Sequence, residues 1–158
     1  MRVGIGYDVH PLRPDRELVI GGIRIESLLG LDGHSDADVL THAIIDSLLG
    51  AAGLGDIGEH FPASDPAYKG VSSQELLTMA VRAVSEAGYR IVNVDSTVIA
   101  EEPRLQPHVA AIRDQLAKTL DVEPGAVSVK ATSPEGLGAL GREEGIAAQA
   151  VALIEATG

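Results

Sequence analysis

The chain has very few large side chains with which to fill a hydrophobic core. Its 158 residues include one Phe, three Tyr and no Trp, although 45% of the residues are hydrophobic. The core must therefore be built from Ala, Val, Ile and Leu, whose small volumes favour a close approach of helices to a sheet. A chain of this length suits one domain, so residues 1–158 are predicted to fold as a single unit without covalent staples.

Strand-like and helix-like patterns are mixed along the chain without strict alternation, and no linker or internal repeat divides it. The β-branched segments predict strands at Val3–Val9, Ile91–Ala100 and Val127–Ala131, and a hairpin at Leu18–Ile25. Capping residues and apolar spacing predict helices from Ser35 or Asp36 to about Gly53, from Ser72 to Gly88, and from Pro107 to about Leu120.

Two polar, glycine-containing segments are predicted to be loops, namely Gly55–Lys69 and Glu135–Gly145, and the length of the first indicates a functional flap. The final segment, Ile146–Ala156, is ambiguous, since its Ala content favours a helix. The mixture predicts an α+β fold: a two-layer α/β sandwich of the ferredoxin-like type, with helices packed on one face of a mostly antiparallel sheet.

Composition excludes several classes of function. Because there is no cysteine, disulfides, thiolate metal sites and a cysteine nucleophile are excluded, and any metal must be held by His, Asp or Glu. The net charge of −11 argues against nucleic acid as a partner. No signal peptide or bilayer-spanning stretch is recognisable, so we expect no membrane partner and a cytoplasmic location.

Two groups of residues have the spacing of a metal site. Asp8 and His10 share one face of the first strand, and Asp38, His42 and Asp46 share one face of the first helix. Asp8, His10 and His42 would give zinc three ligands and an open fourth position, while Asp46 or Asp38 held the other ring nitrogen of His42. A surface pair and a solvated helix face are the alternatives, and the sequence does not show that strand and helix meet.

Other polar residues suit phosphate binding. His34 and Ser35 lie at the start of the first helix, where free amides favour an anion. The hydroxyls of Thr132 and Ser133 follow a strand end, and Glu135 could hold a harder cation between phosphates. In isolation these residues are equally typical of a loop, a cap and a polar turn. Other candidates are Asp56, for substrate hydroxyls, and the nearby cations Lys130 and Arg142.

Taken together, these segments resemble the 2-C-methyl-D-erythritol 2,4-cyclodiphosphate synthase family from Arg2 to about Ala156, in register. The similar segments are Gly6–His10, His34–Val39 with His42–Ala43, Gly55–Pro62, Asn93–Asp95, Lys130–Thr132, Gly136–Gly138 and Gly141–Arg142. Several uncommon strings in the same order are far more specific than any one of them.

The resemblance implies conversion of 4-diphosphocytidyl-2-C-methyl-D-erythritol 2-phosphate to the 2,4-cyclodiphosphate, with release of CMP, in non-mevalonate isoprenoid synthesis. It implies a homotrimer with active sites between subunits, and a strand for the final segment. Zinc would bind Asp8, His10 and His42, and a second divalent ion, Mg²⁺ or Mn²⁺, would bind Glu135. His34 and Ser133 would be catalytic.

The resemblance also implies two sets of binding residues. Those for the substrate's erythritol and phosphate groups would be Asp8, Val9, His10, His34, Ser35, Asp56, Ile57, Gly58, Phe61, Pro62, Ala63, Ser64, Asp65 and Arg142. Those for cytidine and CMP would be Ala100, Glu101, Glu102, Pro103, Arg104, Leu105, Gln106, Thr132, Ser133, Pro134 and Glu135.

Four positions depart from the family pattern. Ser133-Pro134 replaces a frequent Thr-Thr and keeps one hydroxyl, and Arg104 replaces a frequent Lys. Ala139 stands where many relatives have a Phe that lines a central cavity of the trimer, so binding of isoprenoid diphosphates there stays open. The rival functions are a zinc-dependent phosphohydrolase and a non-catalytic trimer that binds isoprenoid diphosphates.

Overall fold

The computed structural model describes all 158 residues, Met1–Gly158. Its main sheet has five strands in the order β4-β1-β7-β5-β6, in which only the β5–β6 pair is parallel. The strands are β1 (Arg2–Pro14), β4 (Leu29–Leu31), β5 (Tyr89–Ile99), β6 (Val127–Thr132) and β7 (Gly145–Ala156). A separate hairpin pairs β2 (Leu18–Ile20) with β3 (Ile23–Ile25). The predicted mostly antiparallel sheet is confirmed.

Three long helices cover one face of this sheet, as predicted. They are α1 (Val39–Ala52), α3 (Ser73–Glu86) and α4 (Val109–Leu120), with α1 packed on β1 and β7, α3 against β5, and α4 against β6. Two short helices, α2 (Ile57–His60) and α5 (Gly138–Gly141), lie in segments predicted as loops. None of the helices combines the length and hydropathy that a membrane crossing requires.

Glycines on β1 bring α1 unusually close to the sheet. A Cβ atom added at Gly4 would lie 2.0 Å from the carbonyl oxygen of Ser47, and one added at Gly6 would lie 1.9 Å from that of Ala43. The backbone of α1 therefore rests directly on the strand. This close approach confirms the expectation from small core side chains, and it sets the height of every α1 side chain above the sheet.

The central strand β7 shows how packing can override intrinsic propensity. Ala148, Ala150 and Ala152 are buried on one face, between Ile146 and Ile154, which are also fully buried. Their helix propensity is high, but in this position only small side chains leave room for α1. The strand implied by the family resemblance is confirmed.

Some predicted boundaries were wrong. The cap of α1 is Asp38, whose carboxylate accepts a hydrogen bond from the Thr41 amide, so the helix begins later than Ser35 or Asp36. The third long helix begins at Val109, because Gln106–His108 forms a 3₁₀ turn first. Strand β4 was not predicted, since three residues around a glycine give no alternating pattern.

The opposite face of the sheet carries no helix and exposes apolar side chains. On β1 these are the odd-numbered residues Val3, Ile5, Tyr7 and Val9, of which Ile5 is 70% exposed. Val151 of β7 is exposed on the neighbouring strand. A contiguous apolar surface of this kind marks an interaction site more often than a solvated surface.

Candidate metal centre and nucleotide pocket

Asp8, His10 and His42 converge on one point, on the helix-covered side of the sheet. The Nε2 atom of His10 lies 2.9 Å from Oδ2 of Asp8 and 3.1 Å from Nδ1 of His42, and the third edge of the triangle is 3.0 Å. Asp8 and His10 alternate with exposed residues on β1, and Gly4 and Gly6 let α1 bring His42 down to them. Strand and helix therefore meet at the predicted ligands.

Each imidazole ring of the triad has one nitrogen that points toward the other ligands and one that points away, and hydrogen bonds to the outer nitrogen fix this orientation. Nδ1 of His10 lies 3.1 Å from the backbone carbonyl oxygen of Asp32, which can only accept, so Nδ1 donates to it and Nε2 is the nitrogen that faces Asp8 and His42. Nε2 of His42 lies 2.8 Å from Oγ of Ser73 and 3.1 Å from Oγ of Ser35. Neither serine nor Asp32 was predicted as a partner of these rings.

Asp38 and Asp46 were predicted to hold the outer ring nitrogen of His42, but the structure gives both carboxylates a different role. Asp38 is fully buried and accepts hydrogen bonds from the amides of Gly21, Gly22 and Thr41 and from the Thr41 hydroxyl, so it anchors the hairpin to α1. Asp46 accepts a hydrogen bond from the Ile57 amide and holds the start of α2. Burial raises the pKa of both carboxyls. The three side chains do share one face of α1, as predicted, but the two carboxylates hold the hairpin and α2 in place and do not hydrogen-bond to the His42 ring.

Electrostatics at the triad favour a cation. Burial alone would raise the pKa of Asp8, but hydrogen bonds and charge from His10 and His42 hold it well below its usual range. Burial would lower the pKa of His10, but the adjacent Asp8 carboxylate and the Asp32 carbonyl raise it. A proton and a metal ion would therefore compete for the same three atoms.

The donor set also fits zinc geometrically. Bond lengths of about 2.0–2.2 Å place the ligand atoms of a tetrahedral zinc ion roughly 3.3 Å apart, close to the observed triangle of 2.9–3.1 Å. Three lone pairs held this close repel one another unless a positive charge lies between them. Two imidazoles and one carboxylate leave a fourth position open toward the adjoining cavity.

That cavity has a volume of about 230 Å³ and contains several of the predicted substrate-binding residues. These are Asp8, His10, His34, Ser35, Ile57, Gly58, Phe61 and Ala63; the lining also includes His42, predicted as a zinc ligand, and the unpredicted Tyr68 and Leu76. Phe61 and Tyr68 pack edge to face with ring centroids 5.4 Å apart. The segment predicted to be a flap therefore forms an apolar wall opposite the metal ligands.

The remaining predicted substrate contacts do not line this cavity. Asp56 caps α2 through the Glu59 amide, and Asp65 caps a 3₁₀ turn through the Ala67 amide. The side chain of Val9 lies on the open face of the sheet, 47% exposed. Arg142 follows α5 and pairs with Glu144 at 2.7 Å. Two further predicted contacts, Pro62 and Ser64, are also absent from the cavity lining.

A second cavity, of about 340 Å³, lies at the ends of β5 and β6. It is lined by Ala100, Glu101, Glu102, Pro103, Arg104, Leu105, Gln106, Thr132 and Ser133, all of which were predicted to bind cytidine, together with Ala131. The predicted residues Pro134 and Glu135 lie beyond it on the following loop. The carboxylate of Glu101 joins the two walls, because it accepts hydrogen bonds from the Ser133 hydroxyl and the Gly136 amide.

The loop after β6 presents Glu135 to solvent. Its backbone has a positive φ of 56°, and its amide donates to Oγ of Ser133 at 2.9 Å. A positive φ is uncommon outside glycine and indicates a conformation imposed by the surroundings. Lys130 points elsewhere, since its ammonium pairs with Asp95 at 2.6 Å.

The two cavities share no lining residue. A row of paired residues, Val9, Ala147, Ile99 and Thr132, crosses β1, β7, β5 and β6 at this end of the sheet. Three strand spacings of about 4.8 Å separate β1 from β6, or roughly 14 Å. Within one chain the candidate metal centre and the second cavity are therefore neighbours that do not merge.

Comparison with known proteins places this architecture in a family. Residues 1–155 match the model of the YgbB family. A 2-C-methyl-D-erythritol 2,4-cyclodiphosphate synthase from Syntrophomonas wolfei is 58% identical over 155 residues, which cover 98% of this chain and 99% of that protein. The chain belongs to the YgbB family.

Solved structures agree with this assignment. The bifunctional IspDF from Campylobacter jejuni superposes with a TM-score of 0.95 at 41% identity, over 98% of this chain and 42% of that one. A structure of 2C-methyl-D-erythritol-2,4-cyclodiphosphate synthase in its CDP-bound form superposes with a TM-score of 0.90 at 34% identity, over 98% of this chain and 100% of that one.

Proposed function

We propose that this protein is a 2-C-methyl-D-erythritol 2,4-cyclodiphosphate synthase. It converts 4-diphosphocytidyl-2-C-methyl-D-erythritol 2-phosphate to the cyclic diphosphate and releases CMP. The observation that best supports this is the convergence of Asp8, His10 and His42 beside a cavity that also contains His34 and Ser35. A separate pocket at the ends of β5 and β6 is large enough to take a nucleotide. Relatives that are 57–58% identical to this chain are named as this synthase.

The reaction needs no nucleophile from the protein, because the substrate supplies one. An oxygen of the 2-phosphate forms a bond to the β-phosphorus, and the bond from that phosphorus to the oxygen bridging to CMP breaks. Catalysis then depends on holding the two phosphates in line and on stabilising negative charge. The apolar wall formed by Phe61 and Tyr68 would disfavour water beside the phosphates, where it would otherwise give a linear product.

The cations proposed for this site are zinc at the triad and Mg²⁺ or Mn²⁺ at Glu135. When bound, they would polarise phosphoryl oxygens as Lewis acids and offset the charge of an acidic protein. Ser35 contacts the ring of His42 and lies beside His34 in the cavity lining, so both side chains are within the reach of a phosphate there. Ser133 and His34 are proposed to stabilise the developing charge.

A homotrimer with active sites between subunits is also proposed. The uncovered apolar face at Val3, Ile5, Tyr7 and Val9 supports it, since a folded chain seldom leaves such a surface in water. The separation of the two cavities supports it as well, because the nucleotide pocket of one subunit could complete the metal centre of its neighbour. Glu135, Arg142 and the predicted contacts outside the cavity would then act across the interface. The proposed location is the cytoplasm.

A product assay tests this function. The protein with Zn²⁺ and Mg²⁺ would receive the cytidine diphosphate substrate, and ³¹P NMR would follow the phosphorus species. Stoichiometric CMP and a cyclic diphosphate are expected from the wild type, with a loss of at least about 1,000-fold in rate for His42→Ala and Asp8→Asn. Asp114→Asn makes the same chemical change on the exposed surface of α4 and serves as the control.

Each rival function gives a different result in the same assay. CMP with only a linear phosphate product would identify a zinc-dependent phosphohydrolase. Binding of an isoprenoid diphosphate without any CMP would identify a non-catalytic trimer. Either result would overturn the proposed cyclisation.

A further inference from the structure

The ring of His42 is held from behind by a buried hydroxyl. Ser73, the first residue of α3, is fully buried, and its Oγ lies 2.8 Å from Nε2 of His42. Residues 42 and 73 belong to different helices, so the contact forms only when α3 docks on α1. This hydroxyl lies on the side of the ring opposite the metal-facing Nδ1.

The Ser73 hydroxyl donates its hydrogen to Asp36 and therefore cannot donate it to His42. The Asp36 carboxylate accepts hydrogen bonds from the Ser73 hydroxyl, from the Ser73 amide at 2.9 Å and from the Asp38 amide at 3.2 Å. A carboxylate can only accept, so Oγ of Ser73 donates to Asp36 and must accept from His42. Nε2 of His42 therefore carries a ring hydrogen. Nδ1 faces Oδ2 of Asp8 at 3.0 Å, so a second hydrogen can lie between them until a metal ion takes its place, and the lone pair of the neutral ring is then on Nδ1.

We propose that Asp36 and Ser73 are positioning residues that lock His42 in the tautomer required for metal binding. These two hydrogen bonds, from Ser73 to Asp36 and from His42 to Ser73, form a relay that aims Nδ1 of His42 at Asp8 and His10. This inference rests on the proposed metal centre and adds two residues to it. Partners of this kind behind a metal-bound histidine raise its basicity and fix its orientation.

Ser35 does not fulfil the same role. Its Oγ is 3.1 Å from Nε2 of His42 and accepts a weak hydrogen bond from the Ala37 amide at 3.3 Å. No acceptor fixes the hydrogen of this hydroxyl, so it can rotate to donate or to accept. Ser35 therefore fits either tautomer of His42 and selects neither.

The test measures zinc affinity by competition between the zinc-loaded protein and a chromophoric chelator at one pH. Ser73→Ala is expected to weaken zinc binding about 10–100-fold. Ser73→Thr keeps the hydroxyl and is expected to recover most of that loss. Ser72→Ala is the control, because it removes the neighbouring hydroxyl that caps α3 through the Gln74 amide and leaves the partners of His42 unchanged.

The ring nitrogens give a second readout that a purely structural role would not change. In zinc-loaded protein labelled with ¹⁵N-histidine, NMR should show Nδ1 of His42 bound to the metal and Nε2 carrying the hydrogen in the wild type, and Ser73→Ala should shift the Nε2 resonance and speed the exchange of its hydrogen with solvent. Unchanged zinc affinity in Ser73→Ala, or a wild type in which zinc binds Nε2 of His42, would overturn the proposed relay.

These readouts separate the relay from the proposed function. If the wild type forms the cyclic product and Ser73→Ala binds zinc normally, the relay is wrong and the function stands. If Ser73→Ala loses affinity but the wild type forms no cyclic product, the relay stands and the function is wrong. A wild type that binds no zinc would contradict both.

Discussion

The candidate metal centre and the proposed nucleotide pocket lie at the same end of one sheet, but they are built differently. The candidate metal ligands project from a long strand and a buried helix, and their rings are fixed by hydrogen bonds that His10 donates to the Asp32 carbonyl and His42 donates to Ser73. The nucleotide pocket is formed by the loop after β5 and the end of β6, where Glu101 and Ser133 are joined by a solvent-accessible hydrogen bond.

This difference indicates a division of roles. A cation site must hold three atoms within a few tenths of an ångström, and packing in the core can do this. A nucleotide has many polar edges and can be recognised by a looser surface. We therefore expect substitutions under the metal centre to change stability and metal binding, and substitutions in the nucleotide pocket to change substrate affinity with little effect on stability.

The largest effect should come from the contact between α1 and β1. Gly6→Ala would place a Cβ atom 1.9 Å from the Ala43 carbonyl oxygen, and neither backbone can move without shifting His42. We expect a loss of about 3 kcal/mol or more in the free energy of unfolding, together with loss of zinc binding. Urea unfolding at a fixed protein concentration measures the first, and chelator competition measures the second.

Gly50 on α1 provides a control for Gly6→Ala, because an added Cβ there has free space. Gly50 has no heavy atom within 4 Å of an added Cβ, so Gly50→Ala should stabilise the helix by about 0.5–1 kcal/mol. If both alanine variants unfolded at the wild-type urea concentration, the close packing of α1 on β1 would not be what positions His42.

The next effect concerns the cap of α1. Asp38→Ala removes four hydrogen bonds and leaves the amides of Gly21 and Gly22 without a partner, which should cost about 3 kcal/mol of stability. Asp56→Ala removes one exposed cap and should cost about 1 kcal/mol. Thermal unfolding of the two variants compares them. Equal losses would contradict the anchoring role of Asp38.

A smaller effect is expected in the nucleotide pocket. Glu101→Gln should weaken the hydrogen bonds that tie Ser133 and Gly136 to the opposite wall. We predict a rise of about tenfold in KM for the cytidine substrate, which corresponds to about 1.4 kcal/mol, with zinc affinity unchanged. Steady-state kinetics and chelator competition on the same preparation give both quantities. A loss of zinc affinity would show that the two pockets are not independent.

The smallest effect should come from the exposed pair between β5 and β6. The hydrogen bond from Lys130 is the main cause that lowers the pKa of Asp95, and both side chains are about half exposed. Solvent screening limits the contribution to about 0.5 kcal/mol, so Lys130→Ala should lose about that much stability at pH 7.

The pH dependence of this pair has a definite sign. Because the pKa of Asp95 is lower in the folded state, the contribution is present above the ordinary value of 3.8 and is lost as the pH falls through the lowered pKa. Urea unfolding at pH 7 and near pH 2.5 should therefore show the difference between wild type and Lys130→Ala shrinking with acid. A difference that grew with acid would contradict this account.

The sequence predicted the elements of the fold better than their contacts. Spacing alone placed Asp8 and His10 on one strand face and His42 on a helix, because side-chain periodicity is a local property. It did not identify Ser73, since a serine at a helix start is typical of a cap and its contact with His42 spans 31 residues. Asp38 was predicted to hold the His42 ring because the two residues share a helix face. Its carboxylate instead accepts hydrogen bonds from the amides of Gly21 and Gly22, which are distant in sequence.

The final strand shows the other limit of local patterns. Ala-rich Ile146–Ala156 favours a helix by propensity, and only the family resemblance indicated a strand. The physical reason lies in residues far away in sequence, since Gly4 and Gly6 bring α1 so close that its neighbour β7 must carry small side chains beneath it. Tertiary packing of this kind cannot be obtained from a window of eleven residues.

The most direct test of the account is to locate the metal. Crystals of the protein grown with Zn²⁺ would be measured on both sides of the zinc absorption edge. The account predicts one anomalous peak per chain, about 2.0–2.2 Å from Oδ2 of Asp8, Nε2 of His10 and Nδ1 of His42, with Nε2 of His42 still on Ser73. A peak bonded to Nε2 of His42, or no peak at the triad, would contradict it.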